Sequence, residues 1–574
     1  MEARKILALI AAVVMVCLPL CGCAGIPKPV HEPLTIMTGC RDYTVLEQAL
    51  KEEYPEINLE FISYNGYNVT AYLQRLLEAG QIPDIYTTKI LPDAVLQKEY
   101  LIDLSGYDFS ARYAVSRLNE CSVDGSIYML PCNFSVLGIY YNKTLLEKYG
   151  WEVPTSFYEM EALVPKIRAA GLEVATTSLE YIGSAFQYLF NLGDTVFLRT
   201  PEGLDWVDGF LAGRVPADDA WADTIAYVQK WIDLGLIDGS WGSKPEKQAA
   251  EHFAEGNTVF FVHSGGFRYS QNEDGTGDRY GLMSWLSMDG SNNRYITSTA
   301  CYFGLSAELE LPRNKQKLAD ALKFMGFIST EKGQRLLSAD STQLLPLADS
   351  DALPDEEYKN IMEQLNAGFS APLTYRGWEE LIVPVGEECL LWYAGSSTGQ
   401  NAITAMNRAL QSSLQNETGA YATLSEDMTQ EETAHLVGNA FAEAVNADCA
   451  LISLGGYHDG KENRDGVNGR LFKGPVDDVI ISTINPLGWV NTIKTVTLTG
   501  QEIRQLAREG VDLYGDGKPF SYVLAVVEGV RLERERQYTV AICGYNSEIM
   551  ENGDLQDTGI CGMDALRSYF AGLG

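Results

Sequence analysis

The feature that most constrains this chain is an alternation of extended and helical periodicity that begins at residue 34 and is punctuated by Pro and Gly. Leu34 and Ile36 open a strand. Tyr43 to Tyr54 then carries Leu46, Ala49 and Leu50 on one helical face. Pro55 stops that helix, because a residue ahead of proline is pushed out of the α region. Ile57, Leu59 and Phe61 alternate as a second strand. Val69 to Ala79 is a second helix, with Tyr72, Leu73, Leu76 and Leu77 inward and Gly80 suited to its C-terminal cap. Strands alternating with helices of this length predict an α/β fold with a mostly parallel sheet.

The N-terminus points outward from the cytoplasm. Arg4 and Lys5 precede a nearly unbroken apolar run, Ile6 to Leu20. Fifteen helical residues span about 22 Å, short of a bilayer core of about 30 Å. A basic head with a short apolar core is the layout of a secretory signal. The run ends in Leu20-Cys21-Gly22-Cys23, which resembles the lipobox of bacterial lipoproteins. The resemblance implies cleavage after residue 22 and lipidation of Cys23. Several acyl chains on one Cys, at about 0.8 kcal/mol per buried CH2, would hold the protein on the outer face of the membrane.

The remaining chain is long enough for several domains, and its 46% hydrophobic content can fill their cores. The formal net charge is −34, with no Lys/Arg cluster. Phosphate contacts need cationic side chains, so nucleic acid is excluded as a partner. Eight cysteines follow Cys23: Cys40, Cys121, Cys132, Cys301, Cys389, Cys449, Cys543 and Cys561. They form no CxxC pair, and most sit in apolar runs as small buried hydrophobes do. So few in so long a chain make no disulfide framework, and their pairing stays open.

Four motifs carry a family resemblance over residues 34–415. They are Ala79-Gly80-Gln81-Ile82-Pro83-Asp84-Ile85, Asp124-Gly125-Ser126-Ile127-Tyr128 with Pro131, Ile139-Tyr140-Tyr141-Asn142-Lys143 followed by Pro154-Thr155 and Glu159, and Phe253-Ala254-Glu255-Gly256-Asn257 followed by Ser264-Gly265-Gly266-Phe267. Their order and spacing resemble the extracellular solute-binding proteins of sugar importers. That resemblance implies a two-lobed periplasmic-binding-protein type II fold, a carbohydrate held between the lobes, and delivery to an ABC permease in the membrane. It implies no catalysis and no cofactor, and the chain reads as a monomer.

A sugar site needs flat aromatic plates with Asp, Asn or Gln for the hydroxyls, since unpaired buried polar groups each cost about 1–3 kcal/mol. Strand-end segments of this mixture nominate Tyr64, Asn65, Thr87, Asn133, Phe134, Gly265, Phe267, Trp285, Tyr302 and Trp378 as ligand contacts. The alternative for each aromatic is core packing.

The polar stretch 411–427 lacks periodicity and reads as a linker, with 416–427 between the domains. A second unit, 428–574, opens with the capping box Thr429 and Glu432. Cys449 to Ser453 and Thr495 to Leu498 read as strands, and Thr499 with Glu502 caps a further helix that Gly510 ends. Val437-Gly438-Asn439-Ala440, Ala447-Asp448-Cys449-Ala450-Leu451, Asn485-Pro486-Leu487-Gly488 and Leu498-Thr499-Gly500-Gln501-Glu502 resemble the C-terminal recognition domain of the 5'-nucleotidase family, a separate α/β (α+β) domain. The resemblance makes Tyr457, His458 and Trp489 the nucleoside contacts such a domain would use here. It also raises the alternative of an exported nucleotide-catabolic hydrolase or nucleoside-binding protein. A third reading is a lipid-anchored adhesion or sensor module. Hydrolysis is disfavoured. Such enzymes need a two-metal centre on another domain, and five scattered His, none in HExxH spacing, do not supply one. No metal site is expected, and each His other than His458 reads as a surface or capping residue.

Overall fold

The computed structural model describes residues 31–38, 43–63, 69–78, 80–81, 83–89, 91–180, 182–242, 244–263, 277–337, 343–348, 356–373, 377–378, 381–415, 420–458, 461–463, 466–487, 492–513, 515–543 and 555–573. The lipobox and Cys23 lie outside them. No helix among the described residues is long and apolar enough to cross a membrane.

The expected alternation is present. β1 (Leu34–Thr38), α1 (Thr44–Glu53), β2 (Leu59–Ser63), α2 (Val69–Glu78) and β3 (Ile85–Thr88) follow one another, and Gly80 sits at φ 67°, a conformation that favours glycine. β1 pairs in parallel with both β2 and β3. Asp124 and Gly125 form the two-residue turn of a short hairpin, both at positive φ as such a turn requires.

The chain then runs through β4 (Met129–Pro131), β5 (Phe134–Leu137) and β6 (Ile139–Asn142) almost without interruption. β7 (Glu173–Thr177), β8 (Thr258–Val262) and β9 (Tyr280–Met283) come next, followed by β10 (Tyr295–Thr299), β11 (Tyr302–Leu305) and β12 (Ser370–Pro372). These strands build two lobes and a bridge. The first lobe is a five-stranded sheet, β2-β1-β3-β11-β4, and the second a four-stranded sheet, β9-β6-β8-β7. Between them lies the small sheet β12-β10-β5. The two lobes have separate apolar cores, one around Leu34, Ile36, Phe303 and Phe324, the other around Phe157, Trp221, Trp231 and Phe260.

Local sequence explains several joints. Asn142 caps the helix Lys143–Tyr149 by accepting from the Leu145 amide at 2.9 Å. Ser156 caps Phe157–Ala169, while Glu159 reaches back to the Thr155 amide at 2.8 Å. The Asn-Lys and Pro-Thr…Glu motifs are therefore helix starts.

Beyond residue 415 the chain builds another sheet. β13 (Ala422–Leu424), α3 (Gln430–Ala444), β14 (Cys449–Ser453), β15 (Gly456–His458), β16 (Lys461–Asn463), β17 (Gly474–Val476), α4 (Asp478–Ile484), β18 (Thr492–Thr499), α5 (Gly500–Glu509), β19 (Tyr522–Val526), β20 (Gln537–Cys543), β21 (Gln556–Cys561) and α6 (Gly562–Leu573) follow in order. The main sheet is β19-β14-β20-β18-β21. Both expected capping boxes form, at Thr429/Glu432 and Thr499/Glu502.

The linker reading needs correction at both ends. The helix Gly399–Gln415 carries 411–415 as its last turn, and Ala422–Leu424 is a strand paired with β17. Three residues of strand are too few to show periodicity, and Ala422 is held by burial opposite Val476. Nor is the second unit a free appendage. Tyr72, Leu73, Leu76 and Leu77 of α2 belong to one apolar cluster with Val437, Phe441, Ile481 and Ile484. At its rim the Tyr72 hydroxyl donates to the Arg470 carbonyl at 3.2 Å, and Arg75 pairs with buried Asp477 at 2.5 Å.

Candidate functional site

Strand register aims the two lobes at each other. β4 ends at Pro131 and β11 begins at Tyr302, and these residues pair with one another; Tyr302 in turn pairs with Thr88, the last residue of β3. The C-terminal ends of the first lobe's parallel strands therefore lie at the crossover. In the second lobe, β6 starts at Ile139, one residue beyond β5, and Ile139 pairs with Val262, the last residue of β8. β8 is parallel to β7, with Val262 opposite Thr177. The strand ends of this lobe also face the crossover. Open α/β sheets place ligands beyond the carboxyl ends of their strands, so both lobes present that edge to one interlobe space.

Two of the passages between the lobes run side by side, Cys132–Asn133 between β4 and β5, and Ala300–Cys301 between β10 and β11; the chain passes once more from the first-lobe core to the second between Leu337 and Leu381. The Cys132 amide donates to the Cys301 carbonyl at 2.8 Å, and the Ala300 amide to the Asn133 carbonyl at 2.9 Å. The Asn133 side chain donates to the Gln334 carbonyl at 3.1 Å, tying the crossing to the first lobe. Phe134 exchanges backbone hydrogen bonds with Leu344, and the Arg117 guanidinium lies 4.7 Å from its ring centroid.

The residues nominated from sequence separate into three groups. Tyr64, Asn65, Gly265, Phe267 and Trp489 lie outside the described residues. Thr87, Asn133, Phe134 and Tyr302 come together at the crossover and first-lobe strand ends, all largely buried; Thr87 donates its hydroxyl to the Met37 carbonyl at 2.6 Å. Trp285 and Trp378 are elsewhere. Trp285 is 0% exposed, with its ring centroid 5.6 Å from that of Tyr188 and 5.7 Å from that of Trp231. Trp378 is 1% exposed, among Phe190, Trp206 and Phe210. Both rings are already covered by second-lobe core, so neither presents a face to solute in this conformation. Tyr457 and His458 lie on β15, paired with β16.

The structure adds two polar clusters. At the second-lobe strand ends, His263 follows β8 and Ser178 follows β7. The His263 Nε2 lies 3.2 Å from Glu246, and the Ser178 hydroxyl donates to the same carboxylate at 3.5 Å. The hydrogen bond from His263 holds the Glu246 carboxyl below its ordinary value, against the effect of burial. His263 is 2% exposed and its ring faces Glu246, which corrects its reading as a surface or capping residue. The sequence signal was its position directly after the apolar run Val259–Val262.

The second cluster is Asp194 with Arg199 and Arg294. Burial pushes the Asp194 carboxyl up to about 7, opposed by the two guanidinium groups. Facing it from the first lobe, Arg117 pairs with Glu120 at 2.8 Å, and burial raises the Glu120 carboxyl while Arg117 and Arg199 oppose the rise. No sequence pattern links residues so far apart. No group of three or more His, Cys, Asp or Glu suited to a metal occurs among the described residues.

Comparison with known proteins defines the class. The family model for bacterial extracellular solute-binding proteins matches residues 42–335, just over half of the chain. The chain belongs to this family, whose members are binding proteins rather than enzymes. It is 29% identical over 124 residues to a multiple sugar-binding protein of Streptococcus mutans, covering 21% of this chain and 29% of that protein. It is 33% identical over 178 residues to a putative binding protein of Brucella abortus, covering 28% of this chain and 43% of that one. The chain thus spans less than half the length of these curated relatives.

Among solved structures, a family 1 extracellular solute-binding protein from Bifidobacterium longum subsp. infantis aligns with TM-score 0.53 and 16% identity over 66% of this chain and 99% of that one. A putative binding protein from Bacillus subtilis in an open conformation aligns with TM-score 0.54 and 16% identity over 67% and 97%. A Bacillus licheniformis sugar transporter protein in complex with stachyose aligns with TM-score 0.50 and 17% identity over 66% and 98%. At these identities the likeness is one of fold.

Proposed function

We propose that the chain is a lipid-anchored extracellular receptor that binds a carbohydrate, most simply an oligosaccharide, between its lobes and delivers it to an ABC permease. The observation that carries this reading is the register that turns the strand ends of both sheets toward one crossover. Family membership supports it, as do the sugar-binding name of the Streptococcus relative and the stachyose complex of the Bacillus neighbour. Thr87, Asn133, Phe134 and Tyr302 back the first-lobe side from buried positions at its strand ends, and Ser178, Glu246 and His263 stand at the strand ends of the second lobe. Hydroxyls and a carboxylate there suit sugar hydroxyls. Cys23 supplies the anchor, as the lipobox resemblance supports.

Residues 428–574 form an appended, non-catalytic domain similar to the 5'-nucleotidase C-terminal domain. Where that family commonly carries Ile-Arg after Gly455-Gly456, this chain has Tyr457-His458, which removes a fixed bidentate cation for phosphate. Leu487 replaces a base-stacking Phe.

A thermal-shift screen of the mature chain against oligosaccharides, monosaccharides and nucleosides tests the reading. Ligand at 100 Kd stabilises a protein by about 2.7 kcal/mol, so a micromolar sugar at sub-millimolar concentration raises the melting temperature clearly. A response to nucleosides with none to any carbohydrate would contradict it.

A further inference from the structure

Two cysteines stand opposite each other in two adjacent crossings between the lobes. Cys132 is the first residue after β4, and Cys301 the last before β11. Their sulfur atoms lie 3.1 Å apart. The Cys301 amide donates to the Cys132 sulfur at 3.1 Å, and the Cys132 amide to the Cys301 carbonyl at 2.8 Å. The ladder on the first-lobe side fixes their pairing, since Pro131 and Tyr302 are partners. Directly opposed residues of antiparallel strands have Cα atoms about 4.5–5.5 Å apart, inside the range that a cystine bridges. The sulfurs stand about 1 Å beyond the ~2.05 Å of a disulfide bond.

We infer that Cys132 and Cys301 are a modification site, forming a disulfide that staples the two hinge strands together. This rests on the reading of the chain as an extracellular protein, because exported proteins meet oxidants that cytosolic thiols do not. The chemistry is thiol–disulfide exchange with an external disulfide, either a small molecule or an exported oxidoreductase. One cysteine attacks as thiolate and displaces a thiol from the oxidant. The second cysteine then attacks the mixed disulfide and displaces the other thiol. The protein loses two protons and two electrons, and the oxidant leaves as two thiols. Both side chains are buried in the folded protein, so the exchange takes place during folding, before the lobes cover the crossing.

The bridge has a mechanical consequence. Lobe closure in a two-lobed binder is absorbed by backbone rotation at a few residues of the connecting strands. A bond across residues 132 and 301 makes the two crossings rotate together. It removes the freedom of one strand to slide past the other while leaving the bend itself.

The test refolds the reduced mature chain in a glutathione redox buffer, alkylates it in denaturant without reductant, and maps the cysteines by mass spectrometry. The expected result is a cross-linked peptide pair containing Cys132 and Cys301, with both residues alkylated only after reduction. The C132S/C301S variant should lose that peptide pair and keep its fold by circular dichroism. Both cysteines alkylated before reduction, or either joined instead to another cysteine, overturns the inference. The measurement involves no sugar, so its outcome is independent of the carbohydrate screen.

Discussion

Asp194 shows how single residues report on this fold. Its carboxyl is fully buried and pushed up to about 7 from an ordinary value of 3.8, with Arg199 and Arg294 opposing the rise. Below 3.8 the group is protonated in both the folded and unfolded chain. Between 3.8 and about 7 the folded protein keeps a proton that the unfolded chain has released, so stability falls as pH rises through that window. Asp194→Asn keeps the volume and removes the ionisation. Relative to this variant, the wild type should lose on the order of a few kcal/mol of stability between about pH 4 and pH 7. Denaturant melts of both proteins across that range check it; parallel pH profiles would show that Asp194 does not titrate there. Residue roles were unevenly legible in the sequence. Asn142, Ser156 and Glu159 act within four positions of themselves, and their capping follows from local order. Trp285 looked like a solute plate from its neighbours, yet Tyr188 and Trp231, which cover it, are distant in sequence.

Elements are legible in the sequence where periodicity runs for two turns or more. α1, α2 and β14 fall within a residue or so of expectation, because Pro55, Gly80 and the alternation between them are local signals. β13 leaves no signal because three residues carry no period. The docking of the second unit is hidden for a different reason. The inward face of α2, Tyr72 to Leu77, is what any helix on a sheet shows, and nothing in it says that α3 and α4 share the same apolar cluster. That docking is testable at Arg75, whose guanidinium faces Asp477 at the start of α4. Removing one partner of a buried pair leaves the other charge uncompensated, a loss of about 3–5 kcal/mol when both are dry. Arg75 is partly exposed, so Arg75→Ala should cost roughly 1–3 kcal/mol. Limited proteolysis should then release residues 428–574 faster than from the wild type. Unchanged cleavage and unchanged melting would mean that the apolar contact alone holds the unit in place.

At the scale of the whole molecule, the chain leaves the second lobe through the helix Gly399–Gln415, and the sheet and helices that follow pack against α2 of the first lobe. The sheet beyond residue 415 therefore packs against the first lobe while following the second lobe in sequence. On the proposed function, carbohydrate binding brings the lobes together about Cys132–Asn133 and Ala300–Cys301. Small-angle X-ray scattering of the mature chain, titrated with a carbohydrate that raises its melting temperature, measures this directly. The account predicts a fall in radius of gyration that saturates at one sugar per chain, with the appended unit still docked. Saturating carbohydrate binding with an unchanged radius of gyration would contradict it.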